Sequence, residues 1–314
     1  MIEEITVGNF KNDQGRLVRE SRGEKLWIEP WGSNSIRVRA TKMMEIETSP
    51  LMQWALLAQG QSTSVIEILN DSATITNGNL TVFVDCTGKM TFRNQYGKIL
   101  LEEYRRTKEN REDFCSDLNI QPREFLAILG GDYSLCARFE ASNGEKLYGM
   151  GQYQHPYLDL KGTTLELAHR NSQASIPFVL SNMGYGFFWN NPGIGEVSFS
   201  KNITKWNLES TKQMDYWVTA GDSPSEIEEA FAEVVGKVPM MPDFAMGFWQ
   251  CKLRYKSQDE LISFHERNRH RRIYPRSLEG FCLLFRRELP VSIGLLDEGF
   301  ASDSYCFDDF CLRA

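Results

Sequence analysis

The chain between residues 25 and 220 alternates apolar and polar side chains in short runs, which is the period of a half-buried β-strand. The runs 25–30 and 35–41 show it, and in the second run Arg37 separates Ile36 from Val38. Further runs that we predict to be strands cover residues 64–69, 73–75, 80–84, 90–93, 98–101, 133–140, 176–180, 185–189 and 214–219. Many short strands with few helices between them predict a large β-sandwich.

Three turn motifs separate neighbouring runs. Asn77-Gly78 and Thr87-Gly88 stand between strand-like segments, and residues 94–97 (NQYG) join two more. Gly and Asn tolerate the positive φ angles that tight hairpin turns require. These motifs therefore predict that consecutive strands pair antiparallel.

Residues 224–235 carry the helical pattern of this region. Ser223 is a good N-cap, Pro224 suits the first helical position, and Glu226 completes a capping box. The apolar side chains share one helical face, formed by Ile227, Phe231, Val234 and Val235. Gly236 then ends the helix. We predict that this helix packs against the sandwich.

A different type of segment follows the helix. Residues 238–242 (VPMMP) form a stiff linker, because two prolines within four residues prevent a continued helix. Residues 245–253 are nearly all apolar and predict a buried strand, and residues 257–262 begin a helical pattern with Ser257 as a cap. A strand followed by a helix is how a β/α barrel begins.

The composition changes near residue 262. Lys and Trp do not occur after it, whereas five Arg side chains crowd into residues 267–276. An abrupt bias toward Arg is what a shifted reading frame or a fused foreign segment leaves. A basic patch that binds an anion or nucleic acid is the alternative, although Tyr274 is its sole aromatic residue. We predict a sandwich domain at 1–238, a barrel start at 239–262 and an atypical, foreign or disordered tail at 263–314.

The charge balance narrows the classes of partner. A net charge of -7 and a pI near 5.3 argue against nucleic acid or an anionic membrane surface, since both select for basic faces. The start of the chain, MIEEITVGNF, lacks the apolar run of a secretory signal, and no stretch is apolar for long enough to span a membrane. We therefore expect a cytoplasmic protein that binds neither nucleic acid nor membrane.

Seven cysteines occur without a CxxC pair and without a His at ligand spacing. This pattern predicts neither a disulfide framework nor a zinc site, and we expect no metal and no cofactor. Cys86 and Cys136 fall on strand-like runs, so we expect both to be buried free thiols.

Three segments together resemble glycoside hydrolase family 31, which contains α-glucosidases and α-xylosidases. They are LYGMGQ (147–152), TLELAHRNSQASIPFVLSNMGYGFFWNNP (164–192) and YWVTAGDSPSEIEEAFAEVVGKVPMMPDFAMGFWQCKLRY (216–255). The resemblance is strongest over residues 145–262, and residues 1–144 match the family's N-terminal sandwich in style. Within the family, the ELAHRNSQ loop and the FWQCKLRY strand look more like bacterial α-xylosidases than like animal digestive glucosidases.

The resemblance implies a fold and an activity. The fold is a galactose-mutarotase-like β-sandwich followed by a β/α barrel that carries the chemistry. The activity is exo-acting, retaining hydrolysis of an α-linked oligosaccharide or glycoside. Such chemistry needs two carboxyl groups about 5 Å apart, one ionised as the nucleophile and one protonated as the acid.

One loop of the family's sandwich reaches the terminal sugar. The resemblance therefore implies substrate contacts by the matching polar side chains here, which are His169, Arg170, Asn171 and Gln173. A polar surface loop without such a role is the alternative. Arg254 and Tyr255 follow the predicted first barrel strand, at the end where barrel sites assemble, and we predict that they also bind substrate.

The catalytic carboxylates have no counterpart in this sequence. Both family aspartates lie well beyond the first barrel strand, the nucleophile in a Trp-rich segment, whereas no Trp follows Trp249 here. A β/α barrel takes about 250 residues, so we expect an incomplete barrel. We assign no catalytic residue and expect the chain to be inactive alone.

Two other functions are compatible with the sequence, and the sequence also predicts association with another chain. A non-catalytic, carbohydrate-binding sandwich is the main alternative function. A mutarotase is less favoured, because four scattered histidines offer no His/Glu acid-base pair. The apolar strand around Trp249 would lie uncovered in an incomplete barrel, so we also expect association with a partner or a homo-oligomer.

Overall fold

The structure is a computed structural model. It describes residues 6–7, 9–57, 64–108, 119–246, 248–250, 256–260, 263 and 273–275. The chain forms two compact units, residues 1–237 and residues 238–314.

The first unit is built almost entirely of β-strands. In chain order its described strands are β1 (Thr6–Val7), β2 (Phe10–Asp13), β3 (Arg16–Ser21), β4 (Glu24–Pro30), β5 (Ser35–Thr41), β6 (Val65–Ile68), β7 (Ala73–Asn77), β8 (Leu80–Val84), β9 (Met90–Asn94), β10 (Ile99–Glu102), β11 (Arg123–Ala127), β12 (Tyr133–Glu140), β13 (Leu147–Gln152), β14 (Thr164–Leu167), β15 (Ala174–Ser181), β16 (Tyr185–Trp189), β17 (Gly195–Phe199), β18 (Ile203–Thr211) and β19 (Met214–Ala220). A short 3₁₀ helix, Pro50–Gln53, and one α-helix, α1 (Pro224–Val235), complete its regular structure.

These strands form three antiparallel sheets. Nine of them make the large sheet, in the order β1-β2-β3-β4-β5-β19-β16-β15-β13. The two small sheets have the orders β10-β9-β8-β7-β6 and β11-β12-β18-β17-β14. Apolar side chains of all three sheets meet in one continuous core. The prediction of a mainly β, sandwich-type fold is confirmed.

The central strands of the large sheet are buried on both faces. Every residue of β5, β16 and β19 is buried. Successive side chains of a strand point to opposite faces, so Tyr216 and Asp215 lie on different sides of the sheet. The inner face packs on the small sheets. The outer face is covered by α1 and by the segment that contains Leu56.

Hairpin turns lie where the sequence motifs predict them. Asn77-Gly78 joins β7 to β8, which pair antiparallel. Gly78 has a φ of 56°, and a Cβ at this position would lie 2.1 Å from Oδ1 of Asn34. Glycine is therefore required here both for the backbone conformation and for the close approach of Asn34.

Helix α1 begins and ends as its capping residues predict. The backbone N–H of Glu226 donates to Oγ of Ser223 at 3.3 Å, and the Glu226 carboxylate accepts from the N–H of Asp222 at 3.0 Å. Gly236 follows the helix with a φ of 103°. Ile227 and Val234 are buried against the outer face of the large sheet, which confirms the predicted packing.

The two cysteines that were expected to be buried have different environments. Cys136 is half-buried on β12, and burial raises the pKa of its thiol. Cys86 lies in the turn after β8 and is exposed, so the prediction for it is wrong. The apolar and polar alternation of β8 ends at Val84, and the turn carries Cys86 away from the core.

The second unit contains two described strands and two short helical segments. Asp243–Met246 is a 3₁₀ helix, so the strand predicted from residue 245 begins later, as β20 (Phe248–Gln250). β20 pairs in parallel with β21 (Ile273–Pro275). The N–H of Glu260 donates to Oγ of Ser257 at 3.3 Å, which confirms the predicted cap.

The barrel start and the Arg-rich tail remain predictions. Most of residues 263–314 lie outside the described residues, apart from Ser263 and β21.

Candidate functional site

The loop that the sequence singles out, residues 169–173, joins β14 to β15 at the edge of the first unit. It closes as a tight turn, in which the N–H of Gln173 donates to the carbonyl of Arg170 at 3.0 Å. Ser172 adopts a φ of 63°, the left-handed conformation that turns of this kind use. The loop therefore has a defined backbone and presents its side chains outward.

Each side chain of this loop has a distinct environment. The guanidinium of Arg170 forms a two-bond ion pair with the Glu166 carboxylate, and this hydrogen bonding lowers the pKa of Glu166. Nδ1 of His169 accepts a long hydrogen bond, 3.4 Å, from the N–H of Ser175. The Gln173 amide donates to a carbonyl within the loop. Asn171 is exposed and has no hydrogen-bonding partner among the described residues.

A cavity of about 700 Å³ lies beside this loop. Its lining includes His169, Ser175, Trp54 and the segment 190–194 that follows β16. Its lining is mainly apolar, with a few polar side chains that converge on it. Small-molecule sites usually have this composition and a volume of about 300–1,000 Å³.

Asn190 fixes the position of Trp54 at the edge of the cavity. Its side-chain oxygen accepts from the N–H of Ala55 at 3.3 Å, and its side-chain nitrogen donates to the carbonyl of Gln53 at 3.2 Å. Trp54 itself has a φ of 53°, which is uncommon for a bulky residue. The Asn190 amide therefore holds both neighbours of a Trp in a strained conformation.

A buried ion pair supports Asn190. Asp215 and Arg37 are both 0% exposed, and their side chains are joined by hydrogen bonds of 2.9 and 2.5 Å. The Asp215 carboxylate also accepts from the Asn190 amide at 3.0 Å. The backbone carbonyl of Asp215 accepts from Asn191 at 2.5 Å. One carboxylate residue therefore orders the start of the segment 190–194, which lines the cavity.

A row of aromatic rings lies near the other side of the 169–173 loop. Tyr153 stacks on His155 at 6.0 Å, and His155 stacks on Tyr157 at 5.8 Å between ring centroids. The Tyr153 hydroxyl interacts with Oγ of Ser175 at 2.8 Å and donates to the carbonyl of Glu166 at 2.7 Å. This row is therefore tied to the same two strands as the loop.

The structure brings only part of the predicted site to the cavity. His169 lines it, whereas Arg170 turns to Glu166 and Gln173 to its own loop. Arg254 and Tyr255 lie outside the described residues. The substrate-binding roles of all six predicted residues stay predictions.

Several cavity residues escaped the sequence analysis. Trp54, Ser175, Asn190 and Asn191 all line it. The unusual pair Asn190-Asn191, directly after a wholly buried strand, was the available signal, because polar side chains at a buried strand end need partners.

Two searches of the described residues gave no result. No group of three or more His, Cys, Asp or Glu side chains has the arrangement to hold a metal ion. None of the described helices combines the length and apolar character needed to cross a membrane.

Comparison with known proteins gives consistent matches. Residues 25–197 match the glycosyl hydrolase 31 N-terminal galactose mutarotase-like domain. An uncharacterized family 31 glucosidase of Pseudescherichia vulneris is 49% identical over 264 residues, covering 81% of this chain and 49% of that protein. An α-xylosidase of Saccharolobus solfataricus is 38% identical over 150 residues, covering 45% of this chain and 20% of that protein.

Solved structures give the same picture. A family 31 α-xylosidase from a soil metagenome, complexed with xylose, superposes with a TM-score of 0.79 at 48% identity. The match covers 84% of this chain and 40% of that protein. The chain thus spans half or less of the length of the relatives that it matches.

Proposed function

Because the chain belongs to glycoside hydrolase family 31, we propose that it functions as part of an α-glycosidase. Such an enzyme would release terminal xylose or glucose from α-linked substrates. The names of the relatives support xylose in particular, since two of them are an α-xylosidase and a xylose-bound α-xylosidase. The proposed chemistry is retaining hydrolysis by a carboxylate nucleophile and a carboxylic acid. Neither group is assigned to a residue of this chain.

In this proposal the first unit binds sugar and the second begins a catalytic barrel. The 169–173 loop carries the proposal, because it combines a defined backbone with exposed polar side chains. Asn171 in particular retains its full capacity to bond a sugar hydroxyl. A site that bonds a hydroxyl group discriminates strongly against analogues that lack it. We propose that Asn171 and Arg170 contact the terminal sugar and, as a separate proposal, that Arg254 and Tyr255 bind substrate.

We also propose that the 314-residue chain by itself hydrolyses no α-glycoside. The experiment is an assay of the purified chain on p-nitrophenyl α-xyloside and p-nitrophenyl α-glucoside. We expect no turnover on either substrate. Turnover that is abolished by substitution of a carboxylate in this chain would overturn the proposal of inactivity.

A carbohydrate-binding protein without catalysis is the second candidate, and the cavity beside the loop favours it. Every described residue that lines the cavity belongs to the first unit. Sugar binding without turnover, measured for the chain and for a longer form with a complete barrel, supports this second function. Turnover by the longer form alone supports the α-glycosidase.

The remaining proposals concern location and assembly. The net charge of -7 disfavours nucleic acid and anionic membranes as partners, so we propose a cytoplasmic protein whose partner is an α-linked glycoside. Sedimentation of the purified chain tests whether it forms a homo-oligomer.

A further inference from the structure

The Trp54 cavity shares His169 with the 169–173 loop but differs from that loop in its chemistry. The polar loop offers hydrogen bonds from exposed side chains, whereas the cavity offers an aromatic side chain and a mainly apolar wall. A sugar ring has an apolar face of C–H groups and an edge of hydroxyl groups. Such a ring matches a wall that combines Trp54 with the polar groups of His169, Ser175 and Asn191.

We propose that this cavity is a second sugar-binding site, in which a pyranose ring stacks on Trp54 and Asn190 acts as the positioning residue. The class of ligand, a sugar, rests on the proposed function. The binding site and the roles of Trp54 and Asn190 go beyond that function. Its ligand is a pyranoside, either the remainder of the substrate beyond the terminal sugar or a separate saccharide.

The backbone of Trp54 is strained and held in place. A Trp with a φ of 53° is strained, and such strain persists only where the surroundings over-determine it. The Asn190 amide supplies that restraint by bonding the residues on both sides of Trp54. Strain of this kind clusters at binding sites, because it presents a side chain in one prepared position.

The side chain of Trp54 is exposed to solvent. It is 45% exposed and lines the cavity, whereas Trp189, Trp206 and Trp217 are at most 1% exposed. A Trp that is needed for core packing would be buried. Since Trp54 is held firmly and left accessible, we infer that its ring contacts a ligand and not the core.

A buried ion pair on the outer face of the large sheet supports the turn at Trp54. Asn190 is 2% exposed and bonds the Asp215 carboxylate, which is fixed in turn by the buried Arg37. Gln53 is also bonded by Arg37, with Oε1 accepting at 2.5 Å. Both ends of the Trp54 turn therefore rest on the same buried ion pair, which makes the cavity wall preorganised.

The test is titration of the full 314-residue chain with methyl α-D-xylopyranoside, with binding followed by NMR. Trp54→Ala is expected to weaken binding at the cavity by about tenfold or more, as loss of one aromatic contact predicts. Trp54→Phe is expected to retain part of the affinity. Resonances of Ser175 and Asn191 should shift on titration of the unaltered chain and should shift less in Trp54→Ala.

The positioning role of Asn190 has its own variant and control. Asn190→Ala is expected to weaken binding as Trp54→Ala does, because the Trp54 turn loses its restraint although Trp54, His169 and Ser175 are all still present. Asn182→Ala is the matched control, because Asn182 likewise bonds two backbone groups, of Lys146 and Gly144, in a turn remote from Trp54 in sequence. It is expected to leave sugar binding unchanged. Thermal unfolding of each variant verifies that it is folded.

Two outcomes would overturn the inference. One is a saturable sugar response that Asn171→Ala removes and Trp54→Ala leaves intact; the proposed function would then stand and the second site would not. The other is the absence of any shift at Ser175 and Asn191 in the folded, unaltered chain. A binding response that Trp54→Ala removes and Asn171→Ala leaves intact supports sugar binding at the cavity. That conclusion holds whether or not the 169–173 loop also binds sugar.

Discussion

Strands β5, β16 and β19 send alternate side chains to two buried faces of the large sheet, and the two faces differ in chemistry. The inner face is aromatic: Trp206 stacks on Phe187 at 5.0 Å and on Trp189 at 5.5 Å. The outer face is mixed: the buried ion pair of Arg37 with Asp215 lies on the same face as an apolar cluster that includes Phe188 and Trp217. Apolar packing on one side stabilises the sandwich, while directional bonds on the other position the turn at the cavity.

The difference follows from what each face must do. Dispersion and the hydrophobic effect are not directional, so an aromatic core tolerates small changes of shape at modest cost. Hydrogen-bonded charges fix geometry, but their desolvation leaves little net stabilisation. We therefore expect the larger apolar core at the inner face to contribute most of the stability, and the outer ion pair to contribute the precision of the candidate site.

Removal of the largest inner side chain should have the largest effect. Trp206→Ala is expected to lower the free energy of unfolding by about 3–5 kcal/mol, because it leaves a cavity among stacked rings. Urea unfolding measures it. Tyr96→Ala, at an exposed turn, is the control and should change stability by less than about 0.5 kcal/mol. A loss of less than about 1 kcal/mol for Trp206→Ala would mean that this face is not the main source of stability.

Breaking the outer ion pair should cost nearly as much, for a different reason. Asp215→Ala leaves the wholly buried Arg37 guanidinium without its carboxylate and is expected to cost about 3 kcal/mol. The double variant Arg37→Met, Asp215→Leu should recover much of that loss, because it leaves no unpaired charge. Asp71→Ala, at an exposed position, is the control.

The double variant also separates stability from function. We expect it to unfold near the unaltered protein in urea and still to bind methyl α-D-xylopyranoside more weakly, since Asn190 loses its partner. Full recovery of both properties would show that the outer ion pair has no positioning role.

The sequence predicted the strands and the helix much better than the contacts between them. Alternation located β5, β8 and β12 with their observed bounds, an apolar run located β16, and capping residues located α1. β3 and β18 were missed, although β18 does alternate, because Lys205 and Asn207 lie between its buried residues. Alternation records which side chains are apolar. It does not record which strands become neighbours.

The candidate site depends on such neighbours. His169 could be selected from the sequence because its loop resembles a family motif. Trp54 could not, because its segment has no periodic pattern and its conformation depends on Asn190, 135 residues away from Ala55. The pairing of Arg37 with Asp215 spans 178 residues. Polar contacts of this range leave no local signal at Trp54, and the pair Asn190-Asn191 is the signal at their other end.

A third prediction concerns the edge of the inner face at high pH. The Tyr185 hydroxyl donates to Oε1 of Glu145 at 2.7 Å, and burial together with that carboxylate raises the tyrosine pKa well above its usual value. The folded state therefore keeps a proton that the unfolded chain releases at pH about 10. This contribution to stability is complete below that pH and is lost as the pH rises above it.

Tyr185→Phe should accordingly weaken the dependence of unfolding on alkaline pH. At neutral pH it should cost about 1–2 kcal/mol, since Glu145 loses a buried hydrogen bond but keeps those from Ser181 and Lys161. Urea midpoints at neutral pH and above pH about 10 measure both effects. Tyr96→Phe controls for the loss of a phenol group. An unchanged alkaline slope in Tyr185→Phe would contradict the assignment.

The smallest expected effect comes from the centre of the inner face. The Tyr216 hydroxyl is buried and has no hydrogen-bond partner among the described residues, and burial raises its pKa well above the usual value. Its ring stacks on Phe187 at 5.0 Å. Tyr216→Phe keeps the ring and removes only a polar group without a protein partner, so stability should change by less than about 1 kcal/mol and can increase.

Trp217, the next residue along β19, provides the opposing case on the outer face. Its Nε1 donates to the carbonyl of Trp31 at 2.9 Å. Trp217→Phe removes this bond and part of a buried ring, so it should cost more than Tyr216→Phe in the same urea experiment. Equal losses would mean that a polar group contributes alike on both faces, and the contrast between an aromatic inner face and a directional outer face would then fail at adjacent residues of one strand.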